Sequence, residues 1–343
     1  MKMWKQIAAC AAAAALVGLT SACGGAPAKS AAQSAAPKSD KVVVYMPSPT
    51  GLANKLAEDF TKKTGIKVEQ YQGTTGQILA RLEAEKSRPV ADVVILASWS
   101  DGMDMKAKGN LAAYEPKGSD KLQAAWKDKD KMFYGTSASA VGVIYNTSVF
   151  SKLDADWEEL AANPAYKDQM VIPDPKKSGS AKDFIDGFIT DKGDNGWKVI
   201  QGLKDQGMQV RGANKAALDA VLTGEKGILI AGVDYNAFSS AKKGEPLAIY
   251  YPKGGTVVNP RPAMIMKTAP DMDNAKKFMD YLMSDDAQKL VVNAYLLPGR
   301  TDVKQDNRIP YDAIHQVKTD WDKMMKEAPE IMKKFASIMG ANQ

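Results

Sequence analysis

Histidine and cysteine are nearly missing from this chain, with one His and two Cys in 343 residues. The histidine is His315, and without a second imidazole the commonest general base and the commonest zinc ligand are scarce. Cys10 lies in an apolar N-terminal run and Cys23 just after it, so from Gly24 onward there is no thiol for a disulfide, a metal cluster or a nucleophile. No G-x-x-x-x-G-K-[ST] segment occurs, which excludes a P-loop nucleotide site. Gly135-Thr136-Ser137-Ala138-Ser139 ends in Ser where a nucleophile elbow needs Gly, and no His lies nearby. An excess of one charge is missing too: 46 Lys and Arg face 40 Asp and Glu, a net charge of +6. The charges are interspersed, as in Lys127-Asp128-Lys129-Asp130-Lys131, which describes a solvated face and excludes a nucleic-acid stripe. These absences argue against an enzyme and predict neither a cofactor nor a bound metal.

What is present begins with an address. Lys2 and Lys5 precede an apolar run from Ile7 to Leu19, too short to span a bilayer, and Thr20-Ser21-Ala22 offers small residues for cleavage. Residues 1–22 therefore read as a signal peptide. Cys23-Gly24-Gly25 resembles the lipobox of bacterial lipoproteins, which implies that Cys23 carries lipid and anchors the protein to the bilayer outside the cytoplasm. Residues 23–40 contain no large apolar side chain and read as a flexible tether.

From Lys41 the texture becomes α/β. Val42-Val43-Val44-Tyr45-Met46 is a buried-strand run closed by Pro47 and Pro49, and Leu52, Leu56 and Phe60 then recur at helical spacing up to Gly65. Ile66 to Tyr71 alternates like a strand, Thr74-Thr75-Gly76 opens another helix, and Ala91 to Leu96 is again strand. The same alternation continues through Met170-Val171-Ile172, helices near 181–190 and 214–223, and strands at 227–231 and 247–251. Some 260 residues of this texture exceed one core, so two domains are expected. No Pro/Gly/Ser linker divides them. Two extended passages, Phe133 to Tyr145 and Val257 to Lys267, are expected to cross between them. The reading is 41–137 as the first part of lobe 1, 138–257 as lobe 2, 258–310 as the return to lobe 1 and 311–343 as a C-terminal helix. In that helix Met324, Met325 and Met332 suit core packing.

Five stretches in fixed order carry a resemblance: Gln77 to Lys86, Ala91-Asp92-Val93, Val143-Ile144-Tyr145-Asn146, Asp174-Pro175-Lys176-Lys177-Ser178-Gly179-Ser180-Ala181, and Ser284-Asp285-Asp286-Ala287-Gln288. Together they resemble the type II periplasmic binding proteins of extracellular solute-binding protein family 1, in the branch of ferric-iron, thiamine and phosphonate or sugar-phosphate binders. The likeness covers nearly all of 41–300. It implies an α/β fold of two lobes, each a sheet flanked by helices, joined by a two-strand hinge. It also implies a monomer that closes over a small-molecule solute and hands it to an ABC permease in the membrane. The iron branch holds ferric ion with paired tyrosines, where this chain reads Asp234-Tyr235, and with residues after the first strand, where it reads Ser48-Pro49-Thr50. Tyr250-Tyr251 sits in an expected strand, where neighbours point to opposite faces.

The candidate ligand residues are hydroxyls and backbone amides at helix starts: Ser48, Thr75 with Gly76, Ser98, and Ser178 with Ser180. Helix N-termini suit phosphate, phosphonate or carboxylate, although Ser and Thr at those positions also serve as plain caps. Thr136, with Ser137 beside it, adds hydroxyls from the first crossover strand or is simply half-buried. Asp234 and Tyr235 follow the strand 227–231 and are expected to face the cleft, where carboxylate and ring suit an ammonium group; Asp234 as a helix cap is the competing reading. Arg261, between Pro260 and Pro262, binds an anion or braces a carboxylate. The combination predicts a small anionic or zwitterionic solute, similar to 2-aminoethylphosphonate or a phosphorylated organic molecule. Ferric iron is the second reading, and a ligand-presenting partner of a sensor is the reading of another class.

Overall fold

Val42 to Met46 are buried on both faces in β1 (Lys41–Met46), as an interior parallel strand requires. The computed structural model describes residues 40–340, so the expected leader and Cys23 lie outside the described residues, as does the tether but for residue 40. Pro47 and Pro49 break the strand, and α1 (Thr50–Thr64) buries Leu52, Leu56 and Phe60 before Gly65 stops it in the left-handed conformation. β2 (Lys67–Gln72) pairs parallel with β1 on one side, and β3 (Val93–Ile95) on the other after the helix α2 (Thr75–Ala84). The lobe continues with α3 (Trp99–Ala107) and the short β4 (Leu111–Ala112).

β5 (Phe133–Asn146) contains no charged residue and is buried along its whole length. It leads into the second lobe: α4 (Trp157–Ala162), β6 (Met170–Ile172), α5 (Gly179–Lys192), α6 (Asp194–Asp205), β7 (Gln209–Val210), α7 (Asn214–Leu222), β8 (Ile228–Val233), α8 (Asp234–Lys242) and β9 (Leu247–Tyr250). Then β10 (Val258–Met266) returns to the first lobe, which α9 (Met272–Leu282), α10 (Asp285–Asn293) and β11 (Leu297–Pro298) complete. The final helix, α11 (Trp321–Met339), starts at Trp321 and not at Val317 because the Asp320 carboxylate accepts from Lys323 N and caps it there.

The strands run in the order β2-β1-β3-β10-β5-β8-β6-β7. β5 changes partners part-way. Phe133 to Ala140 lie antiparallel to β10, whereas Val141 onward pairs with β8 and β9. The change falls at Ala140/Val141, opposite Val257, whose carbonyl accepts from Val141 N at 3.2 Å, while Thr256 Oγ1 donates to Val141 O at 2.6 Å. The boundary expected at 137/138 thus falls inside a continuous strand. Each lobe has its own aromatic centre, Phe60 with Phe278 in the first and Trp157 with Phe184 and Phe188 in the second. Met324 of α11 is fully buried and packs at Gly187 of α5, which accounts for it as core.

Candidate ligand-binding cleft

The loops that leave β1, β2, β3, β6, β7 and β8 converge on one cleft of about 440 Å³ between the lobes. Sites in α/β sheets form beyond the carboxyl ends of strands because the following helices start there and aim their free N–H groups at the opening. Of the helix starts that line this cleft, α1, α7 and α8 have no side-chain cap, at Pro49, Ala213 and Val233. α2 is closed by a capping box of Thr74 and Gln77, and α5 by Ser178, whose Oγ accepts from Ala181 N at 3.2 Å. The dipole ends of α1 and α7 thus reach the cleft without a side-chain cap, whereas in the first turn of α8 Asp234 Oδ1 accepts from Tyr235 N at 2.8 Å.

The charged groups of the lining are Lys177, Lys215 and Arg261; among the described residues it includes no Asp, Glu, His or Cys. Arg261 stands at the base, 1% exposed. Pro260 and Pro262 on either side of it cannot donate to the ladder, and β10 bulges between Arg261 and Pro262, turning the side chain out of the strand pairing. Its Nη2 donates to Pro47 O at 2.9 Å, and no carboxylate among the described residues pairs with it. Burial pulls the guanidinium below its ordinary value, with Tyr235 and Asp234 acting in the other direction. Burial likewise raises the Tyr235 phenol, which Arg261 opposes. A buried cation without a counter-charge is costly on its own, and an anion entering the cleft would complete it.

A sequence profile described as bacterial extracellular solute-binding protein matches residues 88–327, more than half of the chain. The chain belongs to the bacterial extracellular solute-binding proteins. It is 27% identical over 269 residues to the major ferric iron-binding protein of Neisseria meningitidis serogroup B, covering 74% of this chain and 79% of that one. It is 24% identical over 253 residues to a Salmonella typhimurium periplasmic protein named for 2-aminoethylphosphonate binding, covering 71% and 73%. The periplasmic binding protein AfuA of Actinobacillus pleuropneumoniae, solved with exogenous fructose-6-phosphate bound, superposes with a TM-score of 0.80 at 22% identity over 88% of this chain and 99% of that one. The fold is that of the type II periplasmic binding proteins, and the homologues are extracytoplasmic substrate-binding proteins of ABC importers, which bind small solutes and deliver them to a permease.

In this solute-binding protein Ser48, Thr75, Ser178 and Tyr235 line the cleft. Thr75 Oγ1 also accepts from Ala97 N at 3.3 Å, and Ser178 Oγ donates to Asn214 Oδ1 at 2.6 Å. Gly76 lies beside the cleft, where a Cβ would stand 2.5 Å from Lys176 O of the other lobe, so its smallness lets the lobes touch. Ser98 is fully buried behind the cleft, donating to Asp183 Oδ1 at 3.0 Å. Thr136 does not line the cleft but a small void that shares Ser48 with it, and Ser180 is buried with its Oγ 3.3 Å from Asn214 Nδ2.

Asp234 departs most from expectation. It does not line the cleft: fully buried, its Oδ2 pairs with Arg308 Nη2 and accepts from Ala140 N at 2.9 Å and Tyr251 Oη at 3.0 Å. Arg308 is 74 residues away in the chain, and the carboxylate that was expected to meet an ammonium group is consumed by that guanidinium. Tyr250 donates to Ala155 O at 2.8 Å while Tyr251, just past the end of β9, donates to Asp234, so the adjacent tyrosines have separate partners. Sequence reasoning missed Asn214, Lys215 and Asn236. Their only signal is position at the first turn of a helix that follows a strand.

Proposed function

We propose that this protein captures a small organic anion bearing a phosphate or phosphonate group and hands it to the permease of an ABC importer. The observation that carries the reading is Arg261, a buried guanidinium without a carboxylate at the base of a cleft whose other charges, Lys177 and Lys215, are also positive. Hydroxyls and amides make up much of the remaining polar lining, among them Thr74, Gln77, Asn214 and Asn236. Such groups suit a hydroxylated carbon frame, and with Asp234 spent on Arg308 a phosphorylated polyol fits better than an aminoalkylphosphonate. Ferric ion is the weaker fit, because the lining offers one phenol, Tyr235, and neither carboxylate nor imidazole. The same proposal includes lipid attachment at Cys23, a monomeric form without catalytic turnover, and hinge bending where β5 changes sheets.

A thermal-shift series on the full chain with fructose-6-phosphate, 2-aminoethylphosphonate, thiamine and ferric citrate tests it. A solute at about 100 times its Kd stabilises the folded state by about 2.7 kcal/mol. The phosphate ester is expected to give the largest shift, and Arg261→Met to abolish it by removing about 2–5 kcal/mol of charge-pair binding. A shift with ferric citrate alone, accompanied by tyrosinate colour, refutes the assignment.

A further inference from the structure

Behind the cleft, the start of α3 in the first lobe meets the first two turns of α5 in the second. Asp183 of α5 accepts from Ser98 Oγ at 3.0 Å, Ser100 Oγ at 2.6 Å and Trp99 N at 2.8 Å, so a carboxylate of one lobe caps a helix of the other. Lys182 Nζ donates to Ser100 Oγ at 2.7 Å and stands 3.6 Å from Asp101 Oδ1, 3.9 Å from Asp183 Oδ1 and 3.4 Å from Asp186 Oδ2. One ammonium therefore serves three carboxylates. Asp186 is fully buried, and apart from the ion pair with Lys182 neither of its oxygens has a hydrogen-bond partner among the described residues. Around the cluster, β5 and β8 carry no charge, α6 turns Val199, Ile200 and Leu203 inward, and Lys323 and Glu327 of α11 reach α5 only at Thr190.

We propose that Asp186 is the proton-binding element of a clasp between the lobes: with the proton on, α5 and α3 hold together, and its loss loosens them, so that opening of the cleft depends on the pH outside the cytoplasm. Asp183, with three donors, is the group that keeps its negative charge. Asp186, held only by the Lys182 ammonium that it shares with Asp101 and Asp183, is the one whose ionisation sets three carboxylates against one cation in the interior. Burial pushes Asp186 up to about 7, against the pull of Lys182, with Asp183 and Asp101 adding repulsion. Burial also raises Asp183, to about 6, while Lys182 and the seryl hydroxyls act in the opposite direction. A carboxyl whose folded value lies above its unfolded one of about 3.9 binds more protons folded than unfolded. Its contribution is therefore complete in acid and is lost as pH rises through 7.

The clasp is independent of which solute is bound, so its test uses the ligand-free full chain, with thermal melting and small-angle scattering from pH 5.5 to 8.5. The wild type is expected to lose melting temperature and gain radius of gyration as pH rises through 7, and Asp186→Asn to lack the step near 7, keeping only the dependence that Asp183 gives near 6. Asp101→Asn, which removes a repelling charge at the edge of the cluster, is expected to move the midpoint to lower pH. A wild-type radius of gyration that stays constant over the range overturns the proposal, as does an unchanged transition in Asp186→Asn. Should Asp186→Asn fail to fold, an unmoved midpoint in Asp101→Asn overturns it equally.

Discussion

Arg261 and Asp234 were the two charged residues whose roles the sequence left open, and the structure separates them. Arg261 makes no ion pair among the described residues and stands beside the cleft; Asp234 gives its charge to Arg308, in a pair with both side chains fully buried. Burial drives the Asp234 carboxyl upward, Arg308 and the surrounding donors oppose that, and the pair is satisfied only while both partners remain. Asp234→Ala leaves a buried guanidinium alone and is expected to destabilise the protein by about 3–5 kcal/mol in urea denaturation. Arg261→Met is expected to leave stability unchanged or raised, because it removes a buried charge whose partner is absent. Opposite signs of the two effects would show that one arginine is structural and the other waits for a ligand.

At the scale of elements, strands that end in helix starts made the cleft predictable, and the close approach of the lobes made it narrow. Gly76 occupies the first turn of α2 and Gly179 the first turn of α5, where a Cβ would come within 2.5 Å of Lys176 O and 2.8 Å of Ser98 Cβ respectively. Neither glycine has a positive φ, so the need is for space between lobes. Gly76→Ala should favour the isolated helix by up to about 1 kcal/mol and oppose closure by about 1–3 kcal/mol. The expected result is solute affinity reduced by about 10-fold or more at nearly unchanged melting temperature, read by titration calorimetry beside thermal unfolding. Ser178→Ala acts on the same helix pair, and loss of its cap bond to Ala181 N should lower stability by about 1 kcal/mol.

For the whole molecule, the continuity of β5 through both sheets matters more than any single contact. A strand that serves one lobe up to Ala140 and the other from Val141 bends only over a few residues, with β10 beside it as the second connection. Capture of a solute by contacts from both sides should then draw the lobes together as rigid bodies. Small-angle scattering at fixed pH is expected to give a smaller radius of gyration with saturating solute than without it. An unchanged radius would show that the described conformation is already the bound one.

The alternation of apolar strands and amphipathic helices, the two crossing passages and the family resemblance were all present in the sequence, because they rest on local periodicity and short ordered stretches. So were Ser48, Thr75, Ser178 and Tyr235, since residues at strand-to-helix turns face the cleft wherever such a fold opens. What the tertiary structure alone decided is where charge is neutralised. Arg308 reaches Asp234 across 74 residues of chain, and Asp183 caps a helix 84 residues earlier at Trp99 N, so no local pattern announces either pairing. Those long-range pairings leave Arg261 without an ion pair among the described residues, because a buried charge is defined by what the fold brings to it and not by its neighbours in sequence.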